Sequence, residues 1–154
     1  MKKLLILTLV LLTFAGNSYA QKNLNSQQQQ LRTSIMNFLR NDGYAPQIDE
    51  DGDISFKKEG SAYFVIIGEN NESPMFVSLS KLFPYGDGVT KGAILPYVAE
   101  INRYKMGKIL IRDSYFEIRC ELFLTSSSAF TSIFDKMMVV IDEARGELVN
   151  KLGI

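Results

Sequence analysis

The stretch ISFKKEGSAYFVIIGENNESPMFVSLS, residues 54–80, decides how this chain folds. Its apolar residues come in three short runs: Ile54 and Phe56; Tyr63, Val65 and Ile67; Met75, Val77 and Leu79. A period of two is that of a strand with one face in a core. The breaks between the runs, Glu59-Gly60 and Asn70-Asn71, supply residues that tolerate the positive φ of tight hairpin turns. The stretch predicts a three-stranded antiparallel meander, with the rest of the chain packed on it or extending it.

Towards the C-terminus the meander runs into KLFPYGDGVTKG, residues 81–92, read as a connecting loop. Its Gly86-Asp87-Gly88 has neither the spacing of a phosphate-binding loop nor that of a dinucleotide fingerprint. The aromatic residues Phe83 and Tyr85 on this loop are candidate contacts for a partner. A second helix is expected from about Ala93, with Pro96 in its first turn and Ile94, Val98 and Ile101 on one face, ending at Gly107. Lys108–Arg112 and Tyr115–Phe123 then form a second hairpin around Asp113-Ser114. One side of the last strand is apolar (Phe116, Ile118, Cys120, Leu122, Leu124). The other alternates Glu117, Arg119 and Glu121, as on a solvated sheet surface.

The longest helix is predicted over Ala129–Lys151. Phe130, Ile133, Phe134, Met137, Ile141, Ala144 and Leu148 make an amphipathic stripe at helical spacing. Met138, Val139 and Val140 widen it. Deep packing against the sheet is the preferred reading of that width; the other leaves Met138 and Val139 on a flank for a partner. On the N-terminal side, Leu31, Ile35, Phe38 and Leu39 mark a first helix over about 27–41, with Ser26 as N-cap and Gly43 at the left-handed position after its end. The order is α-β-β-β-α-β-β-α: an α+β domain with a five-stranded antiparallel sheet packed against helices.

Between the first helix and the meander lies an acidic turn with Asp49, Glu50, Asp51 and Asp53. A calcium loop starting at Asp49 needs Gly in sixth place and Glu in twelfth, but Ile54 and Gly60 stand there. Paired carboxylates can also serve as acid and base or hold another metal. The turn is therefore the site for an alternative reading, a small-ligand or metal-binding protein or a carboxylate enzyme. In so polar a setting the acids read as ordinary solvated groups.

Composition narrows the function further. There is no histidine, hence no histidine general base, triad base or zinc ligand, and a single cysteine, so no intramolecular disulfide. Cys120, on the apolar side of its strand, reads as a small core residue. Residues 1–20 have a basic start (Lys2, Lys3), an apolar run from Leu4 to Phe14 and small residues at Ser18 and Ala20, the pattern of a cleaved secretory signal peptide. The run is short for a membrane span, and no cysteine follows it for lipid attachment. The expected mature chain, residues 21–154, is one domain lying in the periplasm or outside the cell. Without Lys2 and Lys3, the 17 basic residues fall to 15 against 17 acidic ones, a net charge of −2. So balanced a surface disfavours nucleic acid and anionic lipid as partners.

The run Tyr97–Ile111, YVAEINRYKMGKILI, resembles the YbjN-like family of bacterial sensory-transduction regulators. In that family an Asn and a Gly-Lys pair, here Asn102, Gly107 and Lys108, join the middle helix to the second hairpin. Element order agrees over about residues 26–150. The resemblance implies a fold similar to type III secretion chaperones, which look like dimers wrapping an extended polypeptide, and it brings no catalytic residues. The function expected is an exported, non-enzymatic, protein-binding or chaperone-like module without cofactor or metal. It would engage a polypeptide through a sheet edge or an apolar groove, alone or as a homodimer.

Overall fold

The computed structural model describes residues 22–69, 73–86, 88–103 and 106–154. The segment read as a signal peptide, the Asn70-Asn71 turn and Asp87 lie outside the described residues.

Helix α1 (Ser26–Asn41) opens with a capping box one residue earlier than the sequence suggested. The Asn25 side chain accepts from the Gln28 amide, and the Gln28 side chain accepts from the Asn25 amide, so two orphan donors of the first turn are met reciprocally. Gly43, at φ +88°, ends it as expected. Strands β2 (Ile54–Lys58) and β3 (Ser61–Ile67) form the first hairpin. Its turn residues Glu59 and Gly60 take φ +50° and +78°, the double positive φ of a type I′ turn, whose twist matches the strands it joins.

Strand β4 spans Met75–Pro84, four residues further than the sequence reading. The connector that read as a loop from Lys81 thus begins as strand. The cause is its partner: β6 (Tyr115–Leu124) pairs with it in continuous register from Met75–Leu124 to Pro84–Tyr115. Strand β5 (Gly107–Ile111) closes the far edge.

At the other edge the expected five strands become six. Gln47–Ile48, named β1, pairs with Ser55 and Ile54 of β2, and the order is β1-β2-β3-β4-β6-β5, antiparallel throughout. The Asp49 carboxylate holds β1 in place by accepting from the amides of Asp51 and Asp53. Pro46, with no N–H to give, ends the pairing.

Helix α2 (Lys91–Ile101) starts two residues earlier than expected, because the Thr90 hydroxyl caps the Ala93 amide. Pro96 therefore sits inside the helix, not in its first turn. Helix α3 (Ser127–Leu152) buries Phe130, Phe134, Met137, Met138, Ile141, Ala144 and Leu148, the expected stripe with Met138 added; only Ile133 is partly exposed. Each large side chain buried in this way contributes about 1.5–3 kcal/mol. Phe38 of α1 meets Phe130 and Phe134 edge-on, and Tyr44 and Phe56 extend the aromatic cluster to the sheet. Helix α3 packs on β4, β5 and β6, while α1 and α2 pack on α3. The Lys151–Glu100 ion pair, 2.8 Å, also joins α2 to α3.

Candidate functional site

Strand alternation divides the sheet into two faces. The helix side carries Ile54, Phe56, Tyr63, Val65, Ile67, Val77, Leu79, Ile118 and Cys120, all buried. Opposite them on β3, β4 and β6 stand Phe64, Ile66, Phe76, Leu82 and Phe123. The first four are half-buried, and Phe123 is 62% exposed. Phe76 and Phe123 are direct cross-strand partners, with ring centroids 5.5 Å apart. This open face is apolar at one end and charged at the other.

The charged end is the alternating strip foreseen for β6, with one difference. Glu117 is buried, because the guanidinium of Arg119 (2.6 Å) and that of Arg112 (3.5 Å) close over it. A buried carboxylate of this kind is tolerable only when paired. Lys108 and Arg119 in turn hold Glu121.

Between these ends the central strand offers small residues, Ser78 and Ser80. Ser78 lies across from Ile66 and Glu121, Ser80 from Phe64 and Arg119. Both hydroxyls are buried without a hydrogen-bond partner among the described residues, at a cost of about 1–3 kcal/mol for each unsatisfied group. The sequence signal for this face was an unbroken apolar run, Tyr63–Ile67, on a strand where half the residues should be polar.

The sheet edges are closed in part. On β5 the backbone of Ile109 points away from β6, and the Asn102 carboxamide takes both of its groups: Oδ1 accepts from the amide at 2.6 Å and Nδ2 donates to the carbonyl at 3.1 Å. At the other edge β1 covers the first half of β2. Blocking of this kind is the usual protection of an edge strand.

The residues singled out in the sequence do not converge. Phe83 is half-buried and stacked on Phe116, centroids 5.0 Å apart. Tyr85 donates its hydroxyl proton to the Arg112 carbonyl, 3.0 Å. Met138 is buried in the core, out of a partner's reach, because the wide stripe of α3 is turned inwards; Val139 beside it is 46% exposed. A groove of about 610 Å³ near Val139 is lined by Met106, Gly107, Val140, Glu143, Ala144 and Glu147.

The acidic turn is spent on structure. Asp49 caps the turn itself, and Asp53 pairs with Lys22, whose ammonium also donates to the Ile67 carbonyl at 3.4 Å. Burial pushes the Asp53 carboxyl above its usual range despite that pairing. No group of three or more metal-ligating side chains occurs among the described residues. Cys120 is buried, and desolvation with the nearby Glu121 raises its thiol to about 11, so it is poorly suited to act as a nucleophile.

No protein-family model matches the chain, and no curated protein matches it in sequence. The YbjN-like resemblance therefore has no support from sequence comparison. Its three signature residues have plain structural roles: Asn102 caps β5, Lys108 pairs with Glu121, and Gly107 leaves room for Val140. Among solved structures, a chain of the HopA1–SchA chaperone–effector complex matches with a TM-score of 0.56 and 10% identity, over 80% of this chain and 96% of that one. At that identity the likeness is one of fold alone. It supports the α+β, chaperone-like architecture that the resemblance implied.

Proposed function

We propose that this protein is an exported, non-enzymatic module that binds an extended polypeptide in the manner of a chaperone. The observation that carries the reading is the open sheet face. Phe64, Ile66, Phe76 and Phe123 lie on the sheet face opposite the one the described helices pack against, three of them half-buried and Phe123 exposed, and contiguous accessible apolar surface marks an interaction site. The chaperone-like fold agrees with it, although a fold by itself does not assign a function. Export to the periplasm or beyond the cell rests on the N-terminal sequence, as does the choice of residues 21–154 as the mature chain. The partner would lie along the β3–β4–β6 surface, its apolar side chains on the phenylalanines and its polar groups towards the Glu117–Arg119–Glu121 strip. A homodimer that leaves this face free is compatible with the reading.

The test uses residues 21–154 and a permanently unfolded probe, reduced and carboxymethylated α-lactalbumin, followed by fluorescence anisotropy. Binding should be measurable in the micromolar range and weaken at least fivefold in the double variant Phe76→Ser, Phe123→Ser, with thermal stability retained. An absence of binding, or equal binding by the folded double variant, would overturn the proposal. Crosslinked affinity capture in the native host would then identify the natural partner.

A further inference from the structure

A groove of about 610 Å³ runs between the start of β5 and the second half of α3, within the size range of sites that enclose a ligand. Met106, Val140 and Ala144 give it apolar walls, and Met106 is 40% exposed. Two glycines shape it. Gly107 brings β5 so close to α3 that a Cβ there would lie 3.0 Å from a methyl carbon of Val140. At Gly146, which also lines the groove, a Cβ would meet nothing within 4 Å, so the absent side chain leaves room that a long one would fill.

Two choices along α3 work against the helix itself, and both line this groove. A glycine inside a helix is less favourable than alanine. Glu143 and Glu147 are four residues apart, so like charges face each other across one turn. Both carboxylates line the groove, and among the described residues no cationic side chain does so. Neither carboxylate is in an ion pair with a described residue, and Lys151, one turn beyond Glu147, is held by Glu100 at 2.8 Å. Local choices that oppose stability gather where a protein serves another purpose. An apolar groove with two carboxylates on one wall is complementary to an apolar side chain flanked by cations.

We infer that the groove receives a basic–apolar–basic stretch of a polypeptide partner, with its two cations on Glu143 and Glu147 and its apolar side chain against Met106 and Val140. In an extended segment, side chains two residues apart lie on one side, about 6.6–6.8 Å from each other. Helix residues four apart are separated by about 6 Å along the axis, so the two spacings match, and the residue between the cations faces the other way, towards Met106. The inference rests on the polypeptide-binding reading and adds an anchor point to it, away from the open sheet face.

The experiment follows amide shifts of isotopically labelled residues 21–154 on titration with the capped pentapeptide acetyl-Gly-Lys-Leu-Lys-Gly-amide. Peptides with Glu-Leu-Glu and with Lys-Ser-Lys at the centre are the controls. The Lys-Leu-Lys peptide should move the amides of Val140, Glu143 and Glu147 and bind at least fivefold more tightly than either control. Gly146→Leu, which fills the groove without meeting a neighbour, should abolish that binding while the urea unfolding midpoint stays the same or rises. In the double variant Glu143→Lys, Glu147→Lys the preference should reverse towards Glu-Leu-Glu. Shifts absent from the groove, a Lys-Ser-Lys peptide that binds as well, or a preference that the charge reversal leaves unchanged would overturn the inference. If the groove stays silent while the unfolded probe still binds through Phe76 and Phe123, the groove alone is wrong; loss of both refutes the polypeptide-binding reading as well.

Discussion

Ser78 and Ser80 show at single-residue scale how a sheet face can be committed to something other than stability. Each buries a hydroxyl without a partner among the described residues, and removing an unsatisfied polar group costs nothing in lost bonds. Ser78→Ala is therefore expected to leave stability unchanged or raise it by up to about 1 kcal/mol, measured by urea unfolding. A loss above that figure would mean that the hydroxyl has a partner, such as a bound water, in solution. Cys120 gives the opposite case, a small residue whose environment suits it. With its thiol held near 11 against an ordinary 9.0, the unfolded chain loses this proton first as pH rises. The native state then binds more protons than the unfolded state, so stability is intact below pH 9 and falls towards pH 11. The slope is at most about 1.4 kcal/mol per pH unit. Compared with Cys120→Ala, whose own packing loss is independent of pH, the wild type should lose stability as pH rises from 9 towards 11. A difference between the two that stays constant with pH would refute the assignment.

Among the elements, the junction of α2 with β5 depends on one side chain. Asn102 presents to Ile109 the donor and acceptor that a further strand would present, closing the edge and fixing the helix end in one contact. Asn102→Ala leaves a buried amide and carbonyl unpaired and should cost about 1–3 kcal/mol, with faster hydrogen exchange at Ile109 than at residues of β4. Exchange at Ile109 unchanged by the substitution would show that water replaces the clasp. The sequence could disclose the elements better than the contacts between them. Alternation in residues 54–80 and the i, i+3, i+4 spacing of α3 are local signals, and both were legible. Strand β1 was not, because two residues after Pro46 carry no period, and their pairing depends on where β2 comes to lie. Nor could alternation say which face of the sheet the helices would cover, so Phe64 and Ile66 had no side assigned to them. The stacking of Phe83 on Phe116 was hidden for a simpler reason: residues so far apart in the chain are brought together by folding alone. Met138 misled because a wide apolar stripe looks the same whether it is pressed into a core or left on a flank.

For the whole molecule, the decisive boundary is the one between the proposed signal and the domain. The structure places Lys22, Leu24 and Asn25 inside the fold: Lys22 on Asp53, Leu24 buried at 5% exposure, and Asn25 capping α1. A further constraint comes from Gly52, where an added Cβ would lie 3.1 Å from the Lys22 backbone nitrogen, so the segment runs tightly against the acidic turn. Signal cleavage after Ala20 would leave all of this intact, and cleavage only a few residues later would not. Starting the chain at Ser26 removes a buried leucine, worth about 1.5–3 kcal/mol, and a helix cap, worth about 1 kcal/mol. It also leaves Asp53 without its partner. A loss of about 2.5–4 kcal/mol is expected against residues 21–154, a large part of the stability of an ordinary domain. Urea unfolding of the two chains checks it. Equal midpoints would place the true domain start beyond Asn25 and reassign residues 22–25 to a linker. A shift of the expected size would mean that the domain reaches its full stability only with the residues from Lys22 onwards in place, so a cleavage at the proposed signal must spare them.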